Sequence, residues 1–272
     1  MRKLFILGAA IVVSVAMLMT ACKKDEVNNR SVTPNQVYPS TAVVLPQAVT
    51  DIDGNSYDAV QIGNQVWMAE NLRTTKYADG TTIPMGQYSY GRPYRYAPGP
   101  NQSNEDNMAN VARYGYLYNY LAVMHASEMK DGKSDPNGVQ GICPDGWHVP
   151  SDAEWIQLTN YMKTQSIYMA NGDADHLAKA LASTWGWRSC SYEEDAIGNN
   201  PSTNNATGFS ALPAGSYEYG SYESYGSVAY FWSATQYDDN LAYLHSLCFN
   251  MPDVYRDYHG LDVGFSVRCV RD

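Results

Sequence analysis

The sequence predicts an α+β fold, with helices first and a small twisted antiparallel sheet closing the chain. Three observations carry this. Ser151-Asp152-Ala153-Glu154 is a capping box, in which a serine and a glutamate three residues apart satisfy each other's amides and open a helix. Short strand-like runs follow at 228–235, 242–249 and 264–270. Nearer the front, Val60 and Ile62 alternate with polar residues up to Gly63-Asn64, and Val66-Trp67-Met68 follows, a β-hairpin signature.

The chain opens with Arg2 and Lys3, an apolar run from Leu4 to Met19, then Thr20, Ala21 and Cys22. That is the order of a secretory leader and its cleavage point. The run has about 16 residues, whereas crossing about 30 Å of hydrocarbon takes roughly 20, so a permanent transmembrane helix is not expected. Met19-Thr20-Ala21-Cys22 resembles a bacterial lipobox, with Met19 where leucine is usual. Residues 1–21 are therefore expected to be a lipoprotein signal peptide and Cys22 the lipidated residue, anchoring the protein to the outer membrane. The run Cys22-Lys23-Lys24-Asp25-Glu26 resembles the charged export tag of surface lipoproteins, which implies an extracellular face.

Residues 22–48 are rich in Asn, Ser, Thr, Pro, Gln and Val without a period and read as a tether, with a domain over 49–272. Asp51-Ile52-Asp53-Gly54-Asn55 resembles the opening of an EF-hand, but Ser56 replaces its glycine and Ile62 its bidentate glutamate, so it reads as a turn. Residues 85–110 lack periodicity and read as a long surface excursion. The apolar stretch 114–124 predicts a helix from about Asn119. After Ser151, the positions of Trp155, Leu158, Tyr161 and Met162 make one apolar face. A second helix is predicted over 174–183, with Leu177, Ala178 and Leu181 inward and Trp185-Gly186-Trp187 ending it. In the last strand Phe265, Val267 and Cys269 share one face and Ser266, Arg268 and Val270 the other.

The formal charge is −10, and loss of Arg2 and Lys3 with the leader makes the mature chain more acidic still. No basic stripe is present, so nucleic acid is excluded as a partner. Tyrosine outnumbers phenylalanine, 23 to 5. Besides Cys22 there are four cysteines, Cys143, Cys190, Cys248 and Cys269, without CxxC spacing, and structural disulfides are the default in an oxidising compartment. The histidines at 125, 148, 176, 245 and 259 show no HxxxH or HExxH pairing, and His148, between Trp147 and Val149, reads as a packed, hydrogen-bonded residue. No cofactor or metal is expected.

Five strings, in order, resemble the Fibrobacter succinogenes major paralogous domain over roughly 50–272. They start at Val60-Gln61-Ile62-Gly63-Asn64-Gln65-Val66-Trp67-Met68, Cys143-Pro144-Asp145-Gly146-Trp147-His148, Asn205-Ala206-Thr207-Gly208-Phe209-Ser210, Phe231-Trp232-Ser233-Ala234-Thr235 and Gly264-Phe265-Ser266-Val267-Arg268-Cys269. That family, of unknown molecular function, occurs mostly in lipoproteins and secreted proteins of Bacteroidetes and Fibrobacteres. The resemblance implies a C-type-lectin-like domain with two or three helices. It also implies a bridge between Cys143 and Cys269, closing a loop of about 127 residues worth on the order of 4 to 5 kcal/mol on the chain-entropy model. Cys190 and Cys248 are left as a second pair.

The calcium-binding signatures of C-type lectins, Glu-Pro-Asn and Gln-Pro-Asp, are absent, and Phe231-Trp232-Ser233-Ala234-Thr235 replaces their Trp-Asn-Asp. The segment Gly215 to Gly226 alternates Tyr217, Tyr219, Tyr222 and Tyr225 with Ser, Gly and Glu, the composition of antibody paratopes. The leading expectation is thus a surface lipoprotein with a non-catalytic recognition or adhesion domain, carbohydrate first and host or envelope protein second as ligand. A structural subunit of an envelope or fimbrial assembly is the alternative. An activity like that of formylglycine-generating enzymes, which share the lectin-like core and use cysteines with copper, ranks third, because the implied bridge occupies Cys269.

Overall fold

A computed structural model describes residue 39 and residues 41–86, 91–125 and 139–272. The expected leader, Cys22 and most of the tether lie outside the described residues. In chain order the elements are β1 (Val43–Thr50), β2 (Ser56–Ile62), β3 (Gln65–Met68), β4 (Arg95–Tyr96), α1 (Asn104–Asn107), α2 (Val111–Tyr114), β5 (Leu117–Tyr118), α3 (Tyr120–Val123), β6 (Trp147–His148), α4 (Asp152–Met162), α5 (Ala178–Leu181), β7 (Ser216–Glu218), β8 (Ser221–Glu223), β9 (Val228–Gln236), β10 (Leu241–Cys248), β11 (Val254–Gly260) and β12 (Val270–Arg271). The architecture is α+β. No helix among the described residues is long and apolar enough to cross a membrane.

Two sheets organise the domain, one ordered β1-β2-β3-β12-β6 and one ordered β11-β10-β9. The final strand β12 is inserted between β3 and β6, pairing Val270 with both Trp67 and His148. A core of Tyr57, Met68, Leu72, Tyr118, Tyr120, Trp232, Leu244, Phe265 and Val267 packs among these elements. A second aromatic group surrounds Trp155 of α4, with Trp67, Phe231 and His245 at 4.7, 5.6 and 5.0 Å between ring centres.

The front of the chain is a three-stranded meander, and folded structure begins earlier than the expected boundary at 49. Val43–Thr50 pairs with β2 from Val43↔Gln61 to Thr50↔Ser56, with a register shift between Leu45 and Val49. Pro46 made this stretch read as tether, yet proline is tolerated on an edge strand beside a bulge, where its missing N–H costs no ladder bond. The Asp51 turn is closed by its own carboxylate, which accepts from the amides of Asp53 and Asn55 at 3.0 and 2.9 Å and from the Tyr57 hydroxyl at 2.5 Å.

The capping box forms as the sequence requires: Ser151 Oγ accepts from the Glu154 amide and Glu154 Oε2 from the Ser151 amide. Trp155, Leu158 and Met162 face inward, but Tyr161 is 37% exposed. It lies instead over the β2–β3 turn at Gly63, where φ is +62° and an added Cβ would sit 2.9 Å from its ring. Asn119 caps a single turn, α3. The helix expected over 174–183 shrinks to α5, because the Ala170 amide is bound by the His176 carbonyl and holds the preceding chain in a tight turn. The expected 264–270 strand is laddered only at its end. Before that it makes single bridges, Gly264 to Tyr217, Phe265 to Tyr118 and Ser266 to Phe231, and so crosses several elements in turn.

Cys143 and Cys269 are disulfide-bonded, with 6.0 Å between their Cα atoms. The second pairing, Cys190 with Cys248, is corrected: both residues are thiols. The backbone of Gly198 stands between their segments. Its carbonyl accepts from the Cys190 amide and its own amide donates to the Phe249 carbonyl, while the Cys248 thiol donates to Asn250 Oδ1 at 2.8 Å.

Candidate functional site

The tyrosine-rich segment is a hairpin, not an open loop. Strands β7 and β8 pair Tyr217 with Tyr222 and Glu218 with Ser221, leaving Tyr219-Gly220 as a two-residue turn with φ of +50° and +83°. Both central residues are left-handed, the pattern of a type I′ turn, which favours Asn-Gly or Asp-Gly. A bulky residue at such a φ is an outlier, costing about 1 to 2 kcal/mol.

This hairpin corrects the expectation that four tyrosines form one ligand surface. Tyr217 is buried and stacked on Tyr96 at 4.1 Å. Tyr222 is buried against Tyr217 at 4.7 Å, and its hydroxyl donates to Asn104 Oδ1. Tyr225 packs on Tyr114 at 5.1 Å. Burial accordingly pushes the Tyr222 and Tyr225 phenols well above their ordinary value. Only Tyr219 among the four is exposed, at 73%.

Tyr219 stands at the rim of a cleft of about 820 Å³ lined by Met85, Gln102, Ser103, Asn104, Glu105, Met108, Tyr217 and Gly220. Its far wall comes from the segment expected to be a long surface excursion. Amide side chains set that wall. Asn104 Oδ1 accepts from the Ala97 amide at 2.9 Å and its Nδ2 donates to the Gly86 carbonyl at 2.6 Å, so one residue ties the wall to the hairpin through Tyr222. Asn107 Nδ2 donates to the Asn101 carbonyl at 2.9 Å, and Asn110 Nδ2 to that of Pro98 at 2.9 Å. Ser103 caps α1, its Oγ accepting from the amides of Glu105 and Asp106 and leaving its O–H to donate. The signal for this wall was present in Ser103 followed three positions on by Asp106.

The cleft thus offers an aromatic edge, two thioethers, a hydroxyl, the Gln102 amide and one carboxylate. Such groups suit reversible binding of a ring carrying hydroxyl or acetamido substituents. A second cavity, of about 350 Å³, lies beside Asp195 and Lys179. There Asp195 accepts from Asn171 at 2.6 Å and His176 at 2.7 Å, and Lys179 donates to the carbonyls of Ala196 and Asn199. No three His, Cys, Asp or Glu side chains gather as metal ligands among the described residues.

His148 is buried between two carboxylates. Its Nδ1 meets Asp272 at 2.7 Å and its Nε2 meets Glu154 at 2.8 Å, so both nitrogens donate only if the ring is charged. The Glu154 hydrogen bond, resisted by burial and helped by Asp272, raises the imidazole above its ordinary value. The resulting stabilisation is complete below the unfolded value near pH 6.5 and is lost as pH rises through the raised folded value. Thermal melts from about pH 6 to 9 should therefore show a fall in Tm that His148→Gln flattens. Parallel curves for the two proteins would refute this charge assignment.

The family model for the Fibrobacter succinogenes major domain matches residues 60–271. The chain belongs to this family. No curated protein and no solved structure matches it. Within this Fibrobacter succinogenes major domain, the segments 60–72, 143–151, 205–215, 231–235 and 264–270 supply β3, both disulfide cysteines and, in Trp67, Phe209 and Phe231, rings packed on Trp155. The cleft wall at 101–108 and the Tyr219 turn lie between those segments.

Proposed function

We propose that this protein is a lipid-anchored outer-membrane protein, held by Cys22 and facing outward, whose C-type-lectin-like domain is a non-catalytic recognition module with carbohydrate as its leading ligand class. The lectin-like reading is supported by the Cys143–Cys269 bridge, which joins the segment before the capped helix to the terminal strand. The anchor reading rests on the leader, the lipobox-like Met19-Thr20-Ala21-Cys22 and the family's frequency in lipoproteins. The binding reading rests on Tyr219, a large exposed ring held at positive φ beside the cleft, where asparagine would cost the fold less.

That observation makes a two-sided test. Tyr219→Asn is expected to stabilise the domain by about 1 kcal/mol, because asparagine suits a type I′ turn. The same variant is expected to lose at least about tenfold in affinity for glycans retained by the wild type on an array, as removal of a stacking ring does. A variant that is stabilised and binds unchanged would remove the cleft from the proposal. The array is run with and without EDTA, and EDTA-sensitive binding would overturn a metal-free site.

A structural subunit of an envelope assembly is the second reading. It is favoured by β11, the outer strand of its sheet, which exposes Tyr255 and Tyr258 along a seven-residue edge.

A further inference from the structure

We infer that the cleft selects uncharged glycans and discriminates against those bearing carboxylate or sulfate, an inference that rests on reading the cleft as a sugar site. Among the described residues Glu105 is the one charged side chain in its lining, and it is exposed. Asp106 follows it on α1, whereas Glu218 alternates with Tyr217 along β7 and so lies on the other face of the hairpin. Glu218 accepts from Ser216 Oγ at 3.0 Å and has His259 Nε2 at 3.5 Å. No lysine or arginine among the described residues lines the cleft. Arg95, on the neighbouring β4, is turned away, donating to the Ile83 carbonyl and lying over the Tyr116 ring at 5.1 Å.

An anionic sugar entering beneath Tyr219 would therefore meet the Glu105 carboxylate with no lysine or arginine of the described lining to pair with its own charge. A unit charge about 4 Å from another is worth about 1 kcal/mol in water, so this repulsion weakens binding by roughly fivefold. Hydroxyl and acetamido groups meet no such opposition. They find the Ser103 hydroxyl and the exposed Gln102 amide as partners. The chain as a whole is acidic, which adds a long-range term of the same sign.

The test uses matched glycan pairs, N-acetyllactosamine with and without terminal sialic acid and with and without sulfate, on the full-length protein with its disulfide intact. The neutral member of each pair should bind about fivefold tighter at low salt, and the gap should narrow at high salt as screening shortens the reach of the Glu105 carboxylate. Glu105→Gln should narrow the same gap at low salt. Equal or tighter binding of the acidic members, or a gap that Glu105→Gln leaves intact, overturns the selectivity while the cleft stands. Binding to no pair, or binding that Tyr219→Asn does not alter, overturns the cleft reading and the selectivity with it.

Discussion

Arg268→Ala is expected to cost the domain about 3 to 5 kcal/mol, enough to unfold a protein whose total stability is about 5 to 15 kcal/mol. Arg268 is fully buried in the terminal segment. Its Nε donates to Asn71 Oδ1 at 2.7 Å, its Nη1 to the carbonyls of Met68, at 2.9 Å, and Phe209, and its Nη2 to the Ser210 carbonyl at 2.9 Å. The guanidinium also lies over the Phe209 and Phe231 rings at 4.6 and 5.6 Å. One planar fork thus fastens the end of β3, the Asn71 loop and the 209–210 loop to the last strand. Truncation leaves four buried acceptors without this donor, each costing about 1 to 3 kcal/mol before relaxation.

The lysine variant separates shape from charge. An ammonium keeps the charge but not the fork, so Arg268→Lys should still lose about 2 kcal/mol or more. Urea unfolding monitored by tryptophan fluorescence measures both variants. A loss below about 1 kcal/mol for alanine would mean that the fork is not what holds these segments together.

How much of this was legible depended on whether the determining chemistry was local. The α4 start was readable because Ser151 and Glu154 solve their own end problem within four residues. Strands β9 and β10 were readable as short runs dense in apolar residues, with Val228, Phe231 and Trp232 buried in the first and Leu244 and Leu247 in the second. Strand β11, Val-Tyr-Arg-Asp-Tyr-His-Gly, went unread because a sheet edge exposes most of its side chains and erases the alternation. The hairpin went unread because its turn is Tyr-Gly, and the cost of that choice shows only in φ. Counting cysteines paired Cys190 with Cys248, whereas the interposed Gly198 backbone is a tertiary fact. The cleft wall hides for a related reason: Asn104, Asn107 and Asn110 act on carbonyls far along the chain, and no periodic pattern reports them.

The disulfide should be the second large contribution, on the order of 4 to 5 kcal/mol, since Cys143 and Cys269 are 126 positions apart. Strand β12, which Cys269 precedes, is only two residues long and is held by the pairs Val270↔Trp67, Val270↔His148 and Arg271↔Trp147. A ladder so short cannot by itself repay the closure of so long a loop. Reduction of the wild type and the double variant Cys143→Ala/Cys269→Ala should therefore destabilise by similar amounts, because reduction removes the crosslink while keeping the sulfur volume. If the alanine pair alone is strongly destabilised, the loss comes from the cavity left in the core rather than from chain entropy. If neither change lowers the urea midpoint, the terminal strand is held by Arg268 and packing, and the bridge is dispensable. The His148 contact to Asp272 gives an independent reading of the same event. When β12 detaches, that contact goes with it, and the fall in Tm with rising pH should weaken in the reduced protein as it does in His148→Gln.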